Sequence, residues 1–195
     1  GGQTPEGERR LGDLAGEILD VGCGPGTNFE HYDAGAHVTA VDYNPAMVEL
    51  ARRALPARHA EVTVQVADAT ALPFPDESFD AYVTTLVLCS VPDLTQAVNE
   101  AWRVLRPGGE VRIFEHVRSE RAWEAQLQTW LSPAWGFFVD GCRLDRDTLG
   151  AFRRRGFEIL DVTRPHVPAE PLPLVIVRGT KARLGLVAGR GDICR

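Results

Sequence analysis

This chain of 195 residues is poor in the features that would fix its shape from outside its own core. Its four cysteines (Cys23, Cys89, Cys142 and Cys194) lie far apart, with no C-x-x-C pair. That pattern excludes a disulfide framework, gives no metal site by spacing, and fits a reducing compartment, so a cytoplasmic location is expected. No apolar run approaches the ~18–20 residues that span a bilayer. No secretory signal stands at the start. Stable membrane insertion is therefore not expected, while peripheral contact stays open. Positive charge is also short, with 21 Lys and Arg against 27 Asp and Glu and a formal charge of −6. A nucleic acid, whose backbone needs basic patches, is excluded on that ground. The arginines at Arg143, Arg146 and Arg153 to Arg155 read as a solvated helix face. Repeats and low-complexity stretches are lacking, and nothing in the sequence specifies an oligomer.

Hydrophobic content of 44% and charged content of 25% are those of a soluble globular protein. The length suits one domain. We assign it to residues 1–181, with the Gly- and Arg-rich stretch 182–195 expected as a poorly ordered tail. Strand-like runs alternate with helix-like segments, the mark of a parallel α/β sheet. Strands are expected at 17–21, 37–42, 62–67, 79–86, 110–115, 157–162 and 174–180. A short helix is expected after the first strand, then helices from Pro45, over 94–105, over 123–138 and over 144–155. Arg106-Pro107-Gly108-Gly109 reads as a sharp reversal that stops the third of these. Trp123, Leu127, Trp130 and Leu131 share one helical face, which is expected to form core and pocket wall. The fold class is thus a Rossmann-like, seven-stranded, mostly parallel sheet with an antiparallel last strand and helices on both faces.

The most informative segment is Leu19-Asp20-Val21-Gly22-Cys23-Gly24-Pro25-Gly26-Thr27-Asn28. Alternating glycines after a strand make a turn that a ligand can approach closely. Asp20 argues against a phosphate cradle and favours a ligand with positive charge and hydroxyls. Asp42 ends the next strand at the spacing of a ribose-binding carboxylate in a nucleotide-binding βαβ unit. A nicotinamide loop would need glycine at position 27, where threonine stands. Asp68 follows the third strand, Thr84 to Leu86 end the fourth, and Glu115 and His116 end the fifth. All these residues fall at the carboxyl ends of strands, where ligands bind in such sheets.

D-V-G-C-G-P-G at 20–26, V-D-Y-N-P at 41–45, A-D-A-T-A-L-P-F-P-D-E-S-F-D at 67–80 and V-L-R-P-G-G at 104–109 resemble the class I S-adenosylmethionine-dependent methyltransferases over about residues 16–165. The resemblance implies S-adenosyl-L-methionine as cofactor and S-adenosyl-L-homocysteine as product. It implies that the Gly22, Cys23, Gly24 and Gly26 backbone passes under the methionine and ribose, with Asp20 toward the ammonium and Asn28 beside it. Asp42 would hold the ribose hydroxyls, and Tyr43 and Met47 would pack on adenine. Asp68 would accept the adenine amino group, with Ala67 and Ala69 nearby, while Thr85 and Leu86 would offer a carbonyl to the ammonium. Further segments, T-L-V-L-C-S-V at 85–91, F-E-H-V at 114–117 and Ser132-Pro133-Ala134-Trp135 with Asp140-Gly141-Cys142, are similar to the animal methyltransferase-like-seven proteins, which methylate alkyl thiols. An amino-terminal membrane-anchoring segment of those proteins has no counterpart in this sequence, which opens on Gly1-Gly2 and places 19 residues before Asp20.

The acceptor is therefore expected to be a small, apolar molecule, with a thiol preferred. A thiol is already a few per cent ionised at neutral pH and needs only a weak base. His116 is the candidate base, ahead of Glu115, Asp140 and His166. Cys89 is expected to line the pocket and Cys142 to be a small buried residue. Phospholipid or quinone-precursor methylation, or a non-catalytic cofactor-binding module, are the alternative readings.

Overall fold

The computed structural model describes residues 11–55, 60–119, 121–138, 141–165 and 173–183. The calls at Asp140, His166 and Cys194, and most of the expected tail, lie outside the described residues. Seven strands are present: β1 Gly16–Val21, β2 Ala36–Asp42, β3 Glu61–Val66, β4 Phe79–Thr85, β5 Leu105–His116, β6 Phe157–Thr163 and β7 Leu174–Lys181. They form one sheet in the order β3-β2-β1-β4-β5-β7-β6. All neighbouring pairs are parallel except those of β7, which runs antiparallel to both β5 and β6. The strand order therefore reverses between β1 and β4, and the loops leaving those two strands splay apart there. That crevice is where open α/β sheets bind ligands.

Period-2 alternation divides the apolar residues between the two faces. Leu19, Val41 and Tyr82 belong to one core cluster, and their neighbours Ile18, Ala40 and Ala81 to the other. Helix α1 (Pro45–Arg53) covers the second face with Ala51, while α2 (Leu94–Val104) and α4 (Thr148–Arg155) cover the first with Ala97, Ala101 and Phe152. Their starts follow from the sequence. Asn44 accepts from the Ala46 N–H at 2.9 Å and Pro45 fills the first turn, Asp93 accepts from Gln96 N–H at 3.0 Å, and Asp147 accepts from Gly150 N–H at 2.9 Å. Each side chain satisfies an amide that the helix leaves open.

Three local expectations are corrected. The helix expected after the glycine loop is only a 3-10 turn, Phe29–His31, because Phe29 and Tyr32 are drawn into the core and too few residues remain before β2. Arg106 to Gly109 does not separate α2 from β5. It forms an irregular opening stretch of β5 itself, in which Leu105 pairs with Phe79 and Glu110 with Ala81, the surplus residues bulging out. Gly108, at φ +83°, supplies the left-handed conformation that such a bulge requires. The third correction concerns α3 (Ala122–Phe138). Its Trp123, Leu127, Trp130 and Leu131 are exposed, at 67, 46, 74 and 49%, and do not form core. The inward side carries Ala125, Gln128 and Ser132. Gln128 accepts from the Ser119 N–H at 2.7 Å and donates to the Val117 carbonyl at 3.2 Å, while Ser132 accepts from Leu144 N–H at 3.1 Å. Polar bonds to two connecting segments, rather than side-chain size, choose the buried face.

An ion pair within α2, Glu100 with Arg103, ties the chain before β4 to that helix through backbone hydrogen bonds. Buried Glu100 accepts from the Leu72 N–H at 2.8 Å and from Arg103 Nε and Nη2 at 2.8 Å. Arg103 in turn donates to the Phe74 and Leu72 carbonyls at 2.7 and 2.9 Å. Arg103 holds the Glu100 carboxyl below its usual range. Its stabilisation is therefore present above the unfolded carboxyl's pKa and is lost as pH falls through the lower folded value. Glu100→Ala should cost about 2–4 kcal/mol, because it leaves the Leu72 amide without its acceptor and removes two charge-assisted hydrogen bonds from Arg103. Urea denaturation at neutral pH checks this, and the gap from the parent should shrink in acid.

Candidate functional site

The turn from β1 into the glycine loop is shaped by two backbone amides that share one acceptor. Gly22 and Cys23 N–H both donate to the Val41 carbonyl, at 2.7 and 3.0 Å. Gly22 stands at φ +69°, and a Cβ there would sit 2.1 Å from Val87 Cγ2, so only glycine lets the loops of β1 and β4 pass this closely. Gly24 donates its N–H to Asp42 Oδ2 at 3.0 Å, while Asp42 Oδ1 accepts from the Asn44 N–H at 2.9 Å. Asp42 thus braces the glycine loop and the start of α1 together. It does not cap the helix; Asn44 does. With one amide on each oxygen and 8% of the residue exposed, Asp42 keeps acceptor capacity toward the crevice.

Asp20 is deeper than its position in the motif suggests. It is fully buried and accepts from Asn28 Nδ2 at 3.2 and 3.4 Å and from the Tyr32 hydroxyl at 3.0 Å. Asn28 also donates to Thr85 Oγ1 at 3.2 Å, joining the β1 loop to the end of β4. Burial raises the Asp20 carboxyl to about 6, with the two hydrogen bonds opposing it and the charge of Asp42 adding to it. Tyr32 had no signal in the sequence. Its role follows from the 3-10 turn that folds it back beneath β1.

The other expected residues lie on the same edge of the sheet. Ala67 donates its N–H to the Asp42 carbonyl at 3.0 Å, which sets the β3 loop beside that of β2. Asp68 is exposed, and its Oδ1 accepts from the Thr70 N–H and hydroxyl at 2.7 Å each, an Asx-type turn that leaves Oδ2 outward. Ala69 is buried, Met47 half-buried and Tyr43 67% exposed. Cys23 is buried, and its thiol is pushed up to about 12, first by that burial and then by Asp20 and Asp42, so it stays protonated and inert.

On the acceptor side, Leu86 stands at φ +57°, a left-handed conformation that a branched-chain residue rarely takes. It is held there by its N–H to the Phe114 carbonyl at 2.7 Å and by Glu115 just beyond. Glu115, fully buried, accepts from the amides of Val87 and Leu88 on Oε1 at 2.6 and 2.8 Å and of Cys89 on Oε2 at 3.3 Å. Burial lifts its carboxyl to about 7 against those three hydrogen bonds. Its oxygens are engaged in shaping the β4 loop, which removes it as a base for an acceptor.

His116 ends β5, and its ring meets two thiols from other parts of the chain. The side-chain donor atoms of Cys89, His116 and Cys142 lie within 4.8 Å of one another. Both cysteines are buried, packed with Leu144 and the half-buried Trp135. The Cys89 thiol, then His116, hold Cys142 below the usual thiol range. No spacing rule could have found this group, since its members come from the β4 loop, the end of β5 and the segment after α3.

A methyltransferase-domain family profile matches residues 19–113. The human thiol S-methyltransferase TMT1A is 38% identical over 165 residues, which cover 83% of this chain and 66% of that protein. The rat thiol S-methyltransferase TMT1B is 34% identical over 161 residues, 80% of this chain and again 66% of the relative. The chain thus spans just under two thirds of the length of these relatives. A demethylmenaquinone methyltransferase of Clavibacter sepedonicus is 43% identical, over 109 residues, 55% of this chain and 44% of that protein. Among solved structures, a SAM-dependent methyltransferase from Methanosarcina mazei superposes with a TM-score of 0.71 at 22% identity, covering 93% of this chain and 99% of its own. The [4+2]-cyclase SpnF superposes at 0.69 with 24% identity, covering 90% and 79%. Fold, profile and identity agree, and the chain belongs to the class I S-adenosylmethionine-dependent methyltransferases.

Proposed function

We propose that this chain transfers the methyl group of S-adenosyl-L-methionine to a small apolar thiol, releasing S-adenosyl-L-homocysteine and a thioether. The observation that carries the acceptor class is the reach of the similarity. The quinone-precursor methyltransferase matches 55% of the chain, whereas the thiol S-methyltransferase TMT1A matches 83%. The longer match includes most of the chain beyond the cofactor half. The shorter match favours quinone-precursor methylation as the second reading of the same cofactor site.

In this reading Asp42, with Gly22, Cys23, Gly24 and Gly26 beside it, takes the ribose hydroxyls, a charge-assisted pairing of roughly 1.5–3 kcal/mol per hydrogen bond. Tyr43 and Met47 flank the adenine, and Ala67, Asp68 and Ala69 meet its polar edge. The ammonium lies toward Asp20 and the Thr85–Leu86 backbone, with Asn28 transmitting the orientation. Transfer is an in-line displacement: the acceptor sulfur forms its bond to the methyl carbon as the sulfonium bond breaks and its electron pair returns to the cofactor sulfur. The protein supplies position and a dry crevice. His116 takes the thiol proton. One catalytic domain spans residues 1–181. Among the described residues no helix is long and apolar enough to cross a membrane. The exposed aromatic face of α3 is the surface suited to peripheral contact with an apolar phase. Cys23, Cys89 and Cys142, the cysteines among the described residues, are free, which fits a reducing cytoplasm.

Incubation with isotopically labelled methyl donor and a panel of alkyl thiols, phenols, amines and quinone precursors should label alkyl thiols first. Label found on quinone precursors alone would replace the thiol by the second reading. In calorimetry, Asp42→Ala should weaken S-adenosylhomocysteine binding by about ten- to a hundredfold, from the lost ribose pairing and the released loop. Unchanged affinity would remove the ribose assignment. Since burial raises the Asp20 carboxyl to about 6, affinity for the cationic ligand should fall as pH drops below that value. In Asp20→Asn that pH dependence should disappear, and a profile unaltered by the substitution would assign it to another group.

A further inference from the structure

The Cys89, His116 and Cys142 cluster is more than a methyl-acceptor pocket requires. Its three donor atoms come from separate stretches of chain that the fold pins together. The Cys89 N–H is held by Glu115, the residue next to His116. The Cys89 carbonyl accepts from the Arg143 N–H at 2.9 Å, beside Cys142. His116 pairs with Leu174 in the β5–β7 ladder, and the Leu144 N–H is fixed by Ser132 at 3.1 Å. Backbone bonds therefore hold the ligand positions, whatever the side chains bind.

Two sulfurs and an imidazole nitrogen form the donor set of a tetrahedral zinc-type ion with one place left over. Around such an ion the ligand atoms lie about 3.5–3.8 Å apart, given metal–sulfur and metal–nitrogen bonds of roughly 2.3 and 2.0 Å. The observed limit of 4.8 Å leaves a contraction of at most about 1.3 Å, within reach of side-chain rotation. We propose that Cys89, His116 and Cys142 bind a divalent d10 cation of the zinc class. On the thiol reading above, the fourth position takes the acceptor sulfur.

The step balances without a redox partner. The acceptor R–SH loses its proton to solvent as its sulfur joins the cation, and a lone pair of that bound thiolate forms the bond to the methyl carbon. The sulfonium bond breaks with its electron pair going to the cofactor sulfur. The product thioether, neutral and a poorer ligand, gives up the position to the next thiol. The cation stays divalent throughout and both cysteines stay thiolates. With an ion in place His116 is a ligand, and the acceptor's ionisation comes from the cation.

Titration of the reduced full chain with zinc against a chromogenic chelator should show one equivalent bound at submicromolar affinity. Cobalt(II) in the same site should give thiolate-to-metal charge-transfer absorption and the visible bands of a tetrahedral centre. Cys142→Ser and Cys89→Ser should each lower zinc affinity at least about a hundredfold, and His116→Ala at least about tenfold, while S-adenosylhomocysteine binding stays within about twofold as proof of folding. Millimolar zinc binding, a cobalt spectrum without thiolate bands, or a Cys89–Cys142 disulfide in a protein that ignores zinc when reduced would each overturn the site. Ethanethiol added to the cobalt form without methyl donor should shift the visible bands. Bands that do not move would overturn the acceptor-binding role and leave the cation site standing. Failure of the thiol reading itself appears separately, as absence of methylated thiol in the labelling panel.

Discussion

The hydrogen bond from the Gly24 amide to Asp42 is the contact on which the cofactor side depends. It joins the loop of β1 to the end of β2, and through the second oxygen of Asp42 to the first residues of α1. The Ala67 amide on the Asp42 carbonyl then brings in the loop of β3. One residue thus sets the relative position of three loops that the parallel sheet would otherwise leave as independent ends. A glycine loop has few side chains with which to hold itself, so its shape must come from its neighbours. In the proposed binding mode the same carboxylate also takes the ribose hydroxyls, so loop geometry and ligand recognition could not be varied separately at this position.

Two further carboxylates, Asp20 and Glu115, are fully buried without a cationic side chain bonded to them. Each is kept by neutral donors: an amide and a phenol for Asp20, three backbone amides for Glu115. Such groups are costly to ionise, and both are raised toward neutrality. A buried acid held near its ionisation point is unfavourable for stability alone. It becomes favourable when a ligand brings positive charge, because binding the cation recovers the energy that burial withheld. In the proposed binding mode Asp20, at the switch point of the sheet, makes that exchange with the ammonium of the cofactor. Glu115 has its oxygens turned to the β4 loop and acts through shape, holding Leu86 to Cys89 in a conformation that includes a left-handed leucine.

The sheet, its order of elements and the strand-end placement of Asp20, Asp42 and Asp68 were legible in the sequence because each rests on local periodicity and on glycine and acid spacing. What was not legible depended on long-range competition. Arg106 to Gly109 has the composition of a turn, yet the ladder with β4 resumes across it and absorbs the surplus as a bulge. On α3 Trp123, Leu127, Trp130 and Leu131 point outward, because Gln128 and Ser132 offer hydrogen bonds that the connecting segments need. Hydropathy cannot weigh a buried amide left unpaired against a tryptophan left exposed. Tyr32 beneath Asp20 and the meeting of Cys89, His116 and Cys142 are tertiary facts, set by how loops return and not by spacing.

The electrostatics of the crevice bear on the choice of acceptor. Asp20, Asp42, Asp68 and Glu115 all gather at the carboxyl edge of the sheet, a field that attracts a sulfonium with its ammonium group and repels an anionic nucleophile. On the proposed thiol reading the acceptor must nevertheless reach the methyl carbon as thiolate. On that reading the two demands are separated by distance along the sheet. The acids Asp20, Asp42 and Asp68 follow β1, β2 and β3, whereas Cys89 and His116 follow β4 and β5, with Glu115 beside them tied to the amides of the β4 loop. The strand order β3-β2-β1-β4-β5 sets these two regions on opposite sides of the switch point. The fold shared with a cyclase does not dictate which reaction occurs there. Beyond β4 the buried Glu115 is engaged by backbone amides, and on the proposed thiol reading Cys89, His116 and Cys142 are the soft, polarisable donors suited to sulfur.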